Sequence, residues 1–283
     1  MIFPSKKELE EKYREENPPD FNTHANYVDF LNNISKGMDL ELNQVFRGKI
    51  KNPSKLLKQK IKLIKFTLES VKEEFKIISE NEEFAVVCCS WIPVKSYYII
   101  FNSLLILKYL ITCDEKSFSS GHFEINNYFK GCIEREEIKF TKEDFNKIYK
   151  EKDVEKIWNW TSSSGESLKK MFFVEDDRLK HILKKIIDYK RKDFKRSKGI
   201  KKLAGKNKIE FLKITKINLS DFFYCYRIKA NYSGMDFLDK DIPDHKFKYF
   251  YNNYVCFTNN YFKCLEKGIN ELAFIRLGNK VFN

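Results

Sequence analysis

Residues 91–112 read WIPVKSYYIIFNSLLILKYLIT, from Trp91 to Thr112, and form the longest apolar run in the chain. A membrane-spanning helix needs roughly 20 apolar residues with few or no charges. Lys95, Ser96, Asn102 and Lys108 interrupt this run. It therefore reads as a buried helix of a soluble protein, not as a membrane span. Ser90 is placed to cap the helix, and Pro93 is tolerated in a first turn. A start further upstream, near Phe84, would put Pro93 inside the helix and kink it. Tyr97, Tyr98, Phe101, Leu104, Leu105, Lys108 and Tyr109 recur at three- and four-residue spacing, while Ile99, Ile100 and Leu107 fill much of the other side. A helix this apolar nearly all round must be covered by several neighbours.

On the N-terminal side, Asn52 and Pro53 read as a helix cap and first position. Leu57, Ile61, Ile64, Leu68, Val71, Phe75 and Ile78 then alternate four and three apart, a heptad seam over three repeats. The seam suits either a coiled-coil dimer or a helix lying along an internal bundle, and a core of this size favours the second. Ser5 and Glu8 resemble a capping box for a short helix to Asn17, with Pro18 and Pro19 stopping it. A second helix is expected from His24 to Lys36, before Gly37. On the C-terminal side, Cys113–His122 reads as a loop and Phe123–Phe129 as the start of a helix. Thr141 and Asp144 resemble a capping box opening a helix over 142–160. Residues 161–165 are a loop, and 167–194 look helical. Phe211–Asn218 fits a strand or a loop. Ser220–Tyr232 reads as a helix ended by Gly234, and Lys246–Ile269 as a long amphipathic one. No internal repeat and no βαβ alternation is present, so the class is all-α.

The formal charge is +13, from 53 Lys and Arg against 40 Asp and Glu. Such a balance favours an anionic partner, nucleic acid or an acidic surface. Part of it reflects a general Lys, Ile and Asn bias. The seven cysteines (Cys88, Cys89, Cys113, Cys132, Cys225, Cys256, Cys264) contain no CxxC pair, and no His stands at zinc spacing from them. They read as reduced thiols of a cytoplasmic protein, mostly in the core. The first 30 residues lack an apolar stretch of secretory type. No metal and no cofactor is expected: the chain has no phosphate-binding Gly loop, no GxSxG and no HExxH.

Two segments point to chemistry. In Tyr226-Arg227-Ile228-Lys229-Ala230-Asn231-Tyr232, Arg227 and Asn231 are four apart on one helix face. Together they can hold or polarise a phosphate; alternatively Arg227 caps a helix end or pairs with Asp236 or Asp239. The stretch 190–208 is strongly basic, with Arg191, Lys192, Lys195, Arg196, Lys198, Lys201 and Lys202, and Asp193 its only acid up to Lys208. It reads either as a solvated linker or as an arm that holds RNA by its phosphates. Phe194 is its only aromatic, which speaks against a stacking platform. The four histidines, His24, His122, His181 and His245, are scattered.

SYYIIFNSLLILKYL, followed by a loop, His122 and Phe129, resembles the first core helix and following loop of HEPN domains (higher eukaryotes and prokaryotes nucleotide-binding). YRIKANY resembles that family's Arg-x-x-x-Asp-Tyr variant, with Asn231 in place of the Asp, and a long last helix follows it as in the family. The resemblance implies an up-and-down helical bundle over 52–130 and 209–283, with an N-terminal helical extension (1–51) and a helical insertion carrying the basic segment (131–208). The helix around Tyr97–Tyr109 and the last helix, Lys246–Ile269, both carry aromatic stripes that need mutual burial, so they are expected to pack antiparallel, with Phe101 a candidate for that interface. The resemblance further implies a homodimer that brings two copies of Arg227 into one groove. The function implied is an RNA-engaging protein of a bacterial or phage defence or toxin–antitoxin system, and in its active form a metal-independent endoribonuclease. Arg227, Asn231 and Tyr232 are then the candidate catalytic residues, and His122 joins the basic residues as a candidate RNA contact. The family's Arg-x4–6-His spacing is absent, since the next histidine after Arg227 is the distant His245. The alternative is a non-catalytic interaction module on the same bundle, an antitoxin or complex subunit with a protein partner.

Overall fold

The computed structural model describes residues 19–43, 46, 48–160, 175–232, 242 and 244–282, except the side chains of Pro19, Asp20, Asn22, 175–177, Lys229, Asn231 and Tyr232. Among them are ten α-helices and two very short strand pairs. The chain is mainly helical, as the sequence implies. In order the elements are α1 (Pro19–Ser35), β1 (Leu40–Leu42), α2 (Lys55–Glu80), α3 (Phe84–Thr112), α4 (His122–Glu134), β2 (Ile138–Phe140), α5 (Glu143–Asn146), β3 (Tyr149–Lys150), α6 (Glu151–Asn159), α7 (Glu175–Ser197), α8 (Gly205–Ile214), β4 (Lys216–Ile217), α9 (Asp221–Tyr232) and α10 (Asp244–Leu277).

α3 is the central element, with α2, α4, α9 and α10 packed around it. By length and composition it is apolar enough to cross a membrane, but 61% of its most apolar window is buried inside this structure. The polar residues that interrupt the run attach its neighbours. Lys95 reaches Ser70 and Glu74 of α2. The Ser96 hydroxyl accepts from Thr258 of α10 at 2.8 Å. Lys108 binds Ser120 and Glu124 at the start of α4. Asn102 donates to the carbonyl of Tyr98 in its own helix. A buried polar group is tolerated when it is hydrogen-bonded, and three of these four bonds also fix where a second element docks.

α3 begins at Phe84 and runs through Pro93 as one helix of 29 residues, so Ser90 is interior rather than a cap. α2 starts two residues later than Asn52-Pro53 suggested: Ser54 is the cap, its hydroxyl accepting from the Leu56 N–H. Its seam faces α3 with Leu57, Ile64, Val71 and Ile78 buried, while Phe75 is exposed. The chain thus supplies the partner for the seam itself.

The last helix does pack on α3, but in parallel, not antiparallel. Cys89 meets Phe247, Ser96 meets Thr258, and Arg276 meets Leu110 and Ile111, so the two residue numbers rise together. Antiparallel packing is enforced only when a short loop joins two helices, and here six helices intervene. Arg276 fixes the arrangement. Its guanidinium is buried and donates to the carbonyls of Leu110 and Ile111, and to that of Gly48 at 3.1 Å. A cation at a helix C-terminus satisfies orphan carbonyls and complements the dipole.

Several other expectations are corrected. α1 starts at Pro19, five residues before the expected His24, with Pro19 in its first turn. The helix expected over 142–160 is broken into α5, β3 and α6. Asn146 binds both the N–H and the carbonyl of Phe140 through its side chain, which ends α5, and Thr141 accepts from the Asp39 N–H instead of capping. The basic stretch is ordered as the end of α7, a connection and the start of α8. The expected helix at 5–17, the loop at 161–165 and the Gly234 helix stop lie outside the described residues.

One core cluster includes buried residues from all three sequence segments. β1 pairs with β2, joining the N-terminal extension to 131–208, and β3 pairs with β4, joining 131–208 to the bundle. Five of the seven cysteines are buried and all are free. Phe223 of α9 stacks on Phe257 of α10 with centroids 4.8 Å apart and rings 2° from parallel. Phe101 is half-buried and packs on Tyr97 and His122. Phe223→Ala is therefore expected to lower stability by about 3–5 kcal/mol, and Phe101→Ala by clearly less, as read by urea denaturation.

Candidate functional site

Arg227 sits six residues into α9, on the face turned to α3. Its guanidinium lies over three rings: Tyr97 at 4.9 Å, Tyr224 at 5.5 Å and Tyr98 at 5.9 Å. One terminal nitrogen donates to the Tyr98 hydroxyl at 3.3 Å. Its Nε is shielded from solvent and has no hydrogen-bond partner among the described residues. No carboxylate among those residues pairs with it; Asp236 and Asp239 lie outside them. Aromatic faces attract a guanidinium electrostatically but leave its N–H groups available.

His122 opens α4 and reaches the same place. Its Nδ1 is hydrogen-bonded to the Tyr97 hydroxyl at 2.5 Å. Its ring lies 4.5 Å from that of Phe101 and 6.1 Å from that of Tyr224. Partial burial, and then the positive charge of Arg227, hold the imidazole below its ordinary pKa. It is therefore the neutral base near pH 7. Tyr97 is almost fully buried, and burial pushes its phenol well up despite Arg227, so it stays protonated. With Nδ1 tied to Tyr97, Nε2 has no partner among the described residues.

What aligns α4 with α9 is a buried ionic cluster. Lys130 of α4 and Asp221 of α9 have fully buried side chains. Lys130 Nζ binds both Asp221 oxygens, at 2.9 and 3.1 Å, and the Lys216 carbonyl at 2.8 Å. Lys190 of α7 adds a second ammonium to Asp221 at 3.0 Å. Burial drives Lys130 down to about 8. Burial also opposes ionisation of Asp221, but the two ammonium groups outweigh it and hold its carboxyl below the ordinary value. Asp221 further accepts from the Asn218 N–H, which anchors the start of α9.

The predicted residues divide clearly. Arg227 and His122 come together. The side chains of Asn231 and Tyr232 lie outside the described residues, although the backbone there is helical. In the basic segment, Arg191 pairs with Asp188 and lies over Trp158, Arg196 pairs with Asp193, and Lys198 pairs with Glu210. Lys192 lies over the Tyr189 ring. Lys195, Lys201 and Lys202 have no acidic partner among the described residues; Lys201 and Lys202 are exposed. The other histidines lie elsewhere: His24 stacks on Tyr226 in the core, His181 packs on Trp160, and His245 is exposed at the start of α10. Tyr224 was missed by sequence reasoning, although it stands three residues before Arg227 on one helix face. Tyr97, Tyr98 and Phe101 read as core but form the wall of the site. Among the described residues, no three His, Cys, Asp or Glu side chains form a group able to hold a metal ion.

No family model, curated protein or solved structure matches the chain.

The coupling of Arg227 to His122 is measurable without any substrate. Arg227→Gln removes the repulsive charge, so the His122 pKa is expected to move upward toward its ordinary value, as read by NMR titration of the ring with His122→Asn for assignment. An unchanged titration would mean that the two groups do not sense each other.

Proposed function

We propose that this chain is an RNA-engaging protein of HEPN type from a bacterial or phage defence or toxin–antitoxin system, and that it cleaves RNA without a metal ion. The observation that carries the proposal is the convergence of Arg227, which has no carboxylate partner among the described residues, with a neutral His122 at a half-buried surface. The Tyr-Tyr helix, an arginine on the penultimate helix and the long last helix support the HEPN assignment. The histidine that the family supplies close after its arginine is supplied here by α4.

In this mechanism Nε2 of His122 takes the proton from a ribose 2′-OH. The 2′ oxygen bonds to the adjacent phosphorus, and the bond from phosphorus to the 5′ oxygen breaks. The 5′ oxygen takes a proton from solvent, and His122 later returns its own proton to solvent. The products are a 2′,3′-cyclic phosphate and a 5′-hydroxyl. Arg227 stabilises the charge that builds on the phosphoryl oxygens. For Nε2 to act as base, Nδ1 must carry the proton and donate it to Tyr97, so Tyr97 is a positioning residue. Asn231 and Tyr232, one turn beyond Arg227, orient the substrate or Arg227 itself.

Purified protein is expected to cleave total RNA in the presence of a chelator, with Arg227→Ala and His122→Ala each lowering the rate by about 10²-fold or more. Binding without cleavage in every RNA would favour the non-catalytic interaction module. Lys192, Lys195, Lys201 and Lys202 are the cations of the basic segment best placed to meet phosphate. Each phosphate contact contributes a slope of roughly −0.7 in log affinity against log salt for single strands. Changing all four to Gln is expected to reduce the slope by about 3 on that rule, with every RNA sequence weakened alike. An unchanged slope would make them solvated surface only. The homodimer that the family resemblance implies is checked by light scattering at micromolar concentration, where a monomer would count against it.

A further inference from the structure

We propose that the cavity beside Arg227 is a nucleobase subsite, which receives one splayed-out base of a single-stranded RNA whose phosphate lies at the guanidinium. This rests on the RNA reading above and extends it from the phosphate to the base. The cavity, of about 320 Å³, opens between α4, α7, α8 and α9. Its volume falls at the lower end of ordinary ligand pockets, about 300–1,000 Å³. Its aromatic lining includes Phe123, Phe194, Phe211 and Tyr224, and the side chains of Asn127 and Asp193 join them.

Three observations connect this cavity to the site. Tyr224 belongs to both: it lines the cavity, and its ring is 5.5 Å from the Arg227 guanidinium carbon and 6.1 Å from the His122 ring. Phe123 directly follows His122 in α4 and is 66% exposed. Its ring lines the cavity and is open to solvent there, so an incoming base can reach it. Finally, the cavity is bordered by the same end of α7 that carries Lys192 and Lys195.

The chemistry fits a base better than an aliphatic ligand. A base offers two π-faces and an edge of donors and acceptors. Phe123 and Tyr224 offer faces for stacking; the Asn127 amide both donates and accepts, and the Asp193 carboxylate accepts. RNA is read in this way where single-stranded bases leave the stack.

The test uses the full chain and a fluorescein-labelled hexanucleotide whose 2′-hydroxyls are all methylated, so that it binds but cannot be cut. A second probe of the same length carries abasic sugars in place of the bases. Anisotropy titrations compare the wild type with Phe123→Ala and Arg227→Ala, and thermal melts check that each variant folds. Phe123 is exposed, so its melting temperature is expected to be unchanged. Phe123→Ala is expected to weaken the base-bearing probe about tenfold, within the range for loss of one stacking aromatic, and to leave the abasic probe unaffected. Arg227→Ala is expected to weaken both probes alike. Equal binding of the two probes by the wild type, or no effect of Phe123→Ala on the base-bearing probe, would overturn the subsite while leaving the RNA reading in place. Failure of the wild type to bind either probe would overturn both.

Discussion

Asp221 carries two ammonium groups on one buried carboxylate, and the geometry of the site depends on that arrangement. Lys130 comes from α4, two turns beyond His122. Asp221 comes from α9, six residues before Arg227. Lys190 comes from α7, at the edge of the basic surface. A buried ion pair is weak evidence for stability, because desolvation can cancel the Coulomb attraction. Removing one partner is a different matter, since it leaves a charge stranded in the core. The cluster therefore acts as a register device: it makes every alternative packing of these three helices expensive, and so holds two distant side chains in one place.

The central helix works by a similar rule. Its apolar surface would accept many neighbours in many orientations, because hydrophobic burial is not directional. Lys95, Ser96 and Lys108 select among them, each bonding to a different neighbouring element. Arg276 then decides the direction of α10 by capping the C-terminus of α3. Apolar area supplies the driving force and a few polar groups supply the uniqueness.

The sequence made the long elements legible and the short ones opaque. The α2 seam, the α3 run, α9 and α10 all declare themselves through sustained periodicity. β1 to β4 are two or three residues long, too short for alternation to register. The direction of α10 was misjudged because periodicity says which face is buried but not which way the partner runs. Arg227 and His122 were each visible as candidates, but nothing local joins residues so far apart in the chain; the link runs through Lys130 and Asp221, which look like ordinary surface charges in a Lys-rich sequence. The pairing of Arg191 and Arg196 with acids was readable, since Asp188 and Asp193 stand three residues before them on a helix. Counting charges across the segment hid that local cancellation.

Arg227, held among three tyrosines with no counter-ion among the described residues, has a thermodynamic consequence. Anything that binds the folded chain and not the unfolded one raises stability by RT ln(1 + [L]/Kd). An anion seated on that guanidinium would do so, which makes buffer composition a state variable of this protein. Phosphate at a hundred times its dissociation constant adds about 2.7 kcal/mol by that relation. The difference in melting temperature between the wild type and Arg227→Gln, across sodium salts matched in ionic strength, then gauges how fully the arginine is occupied.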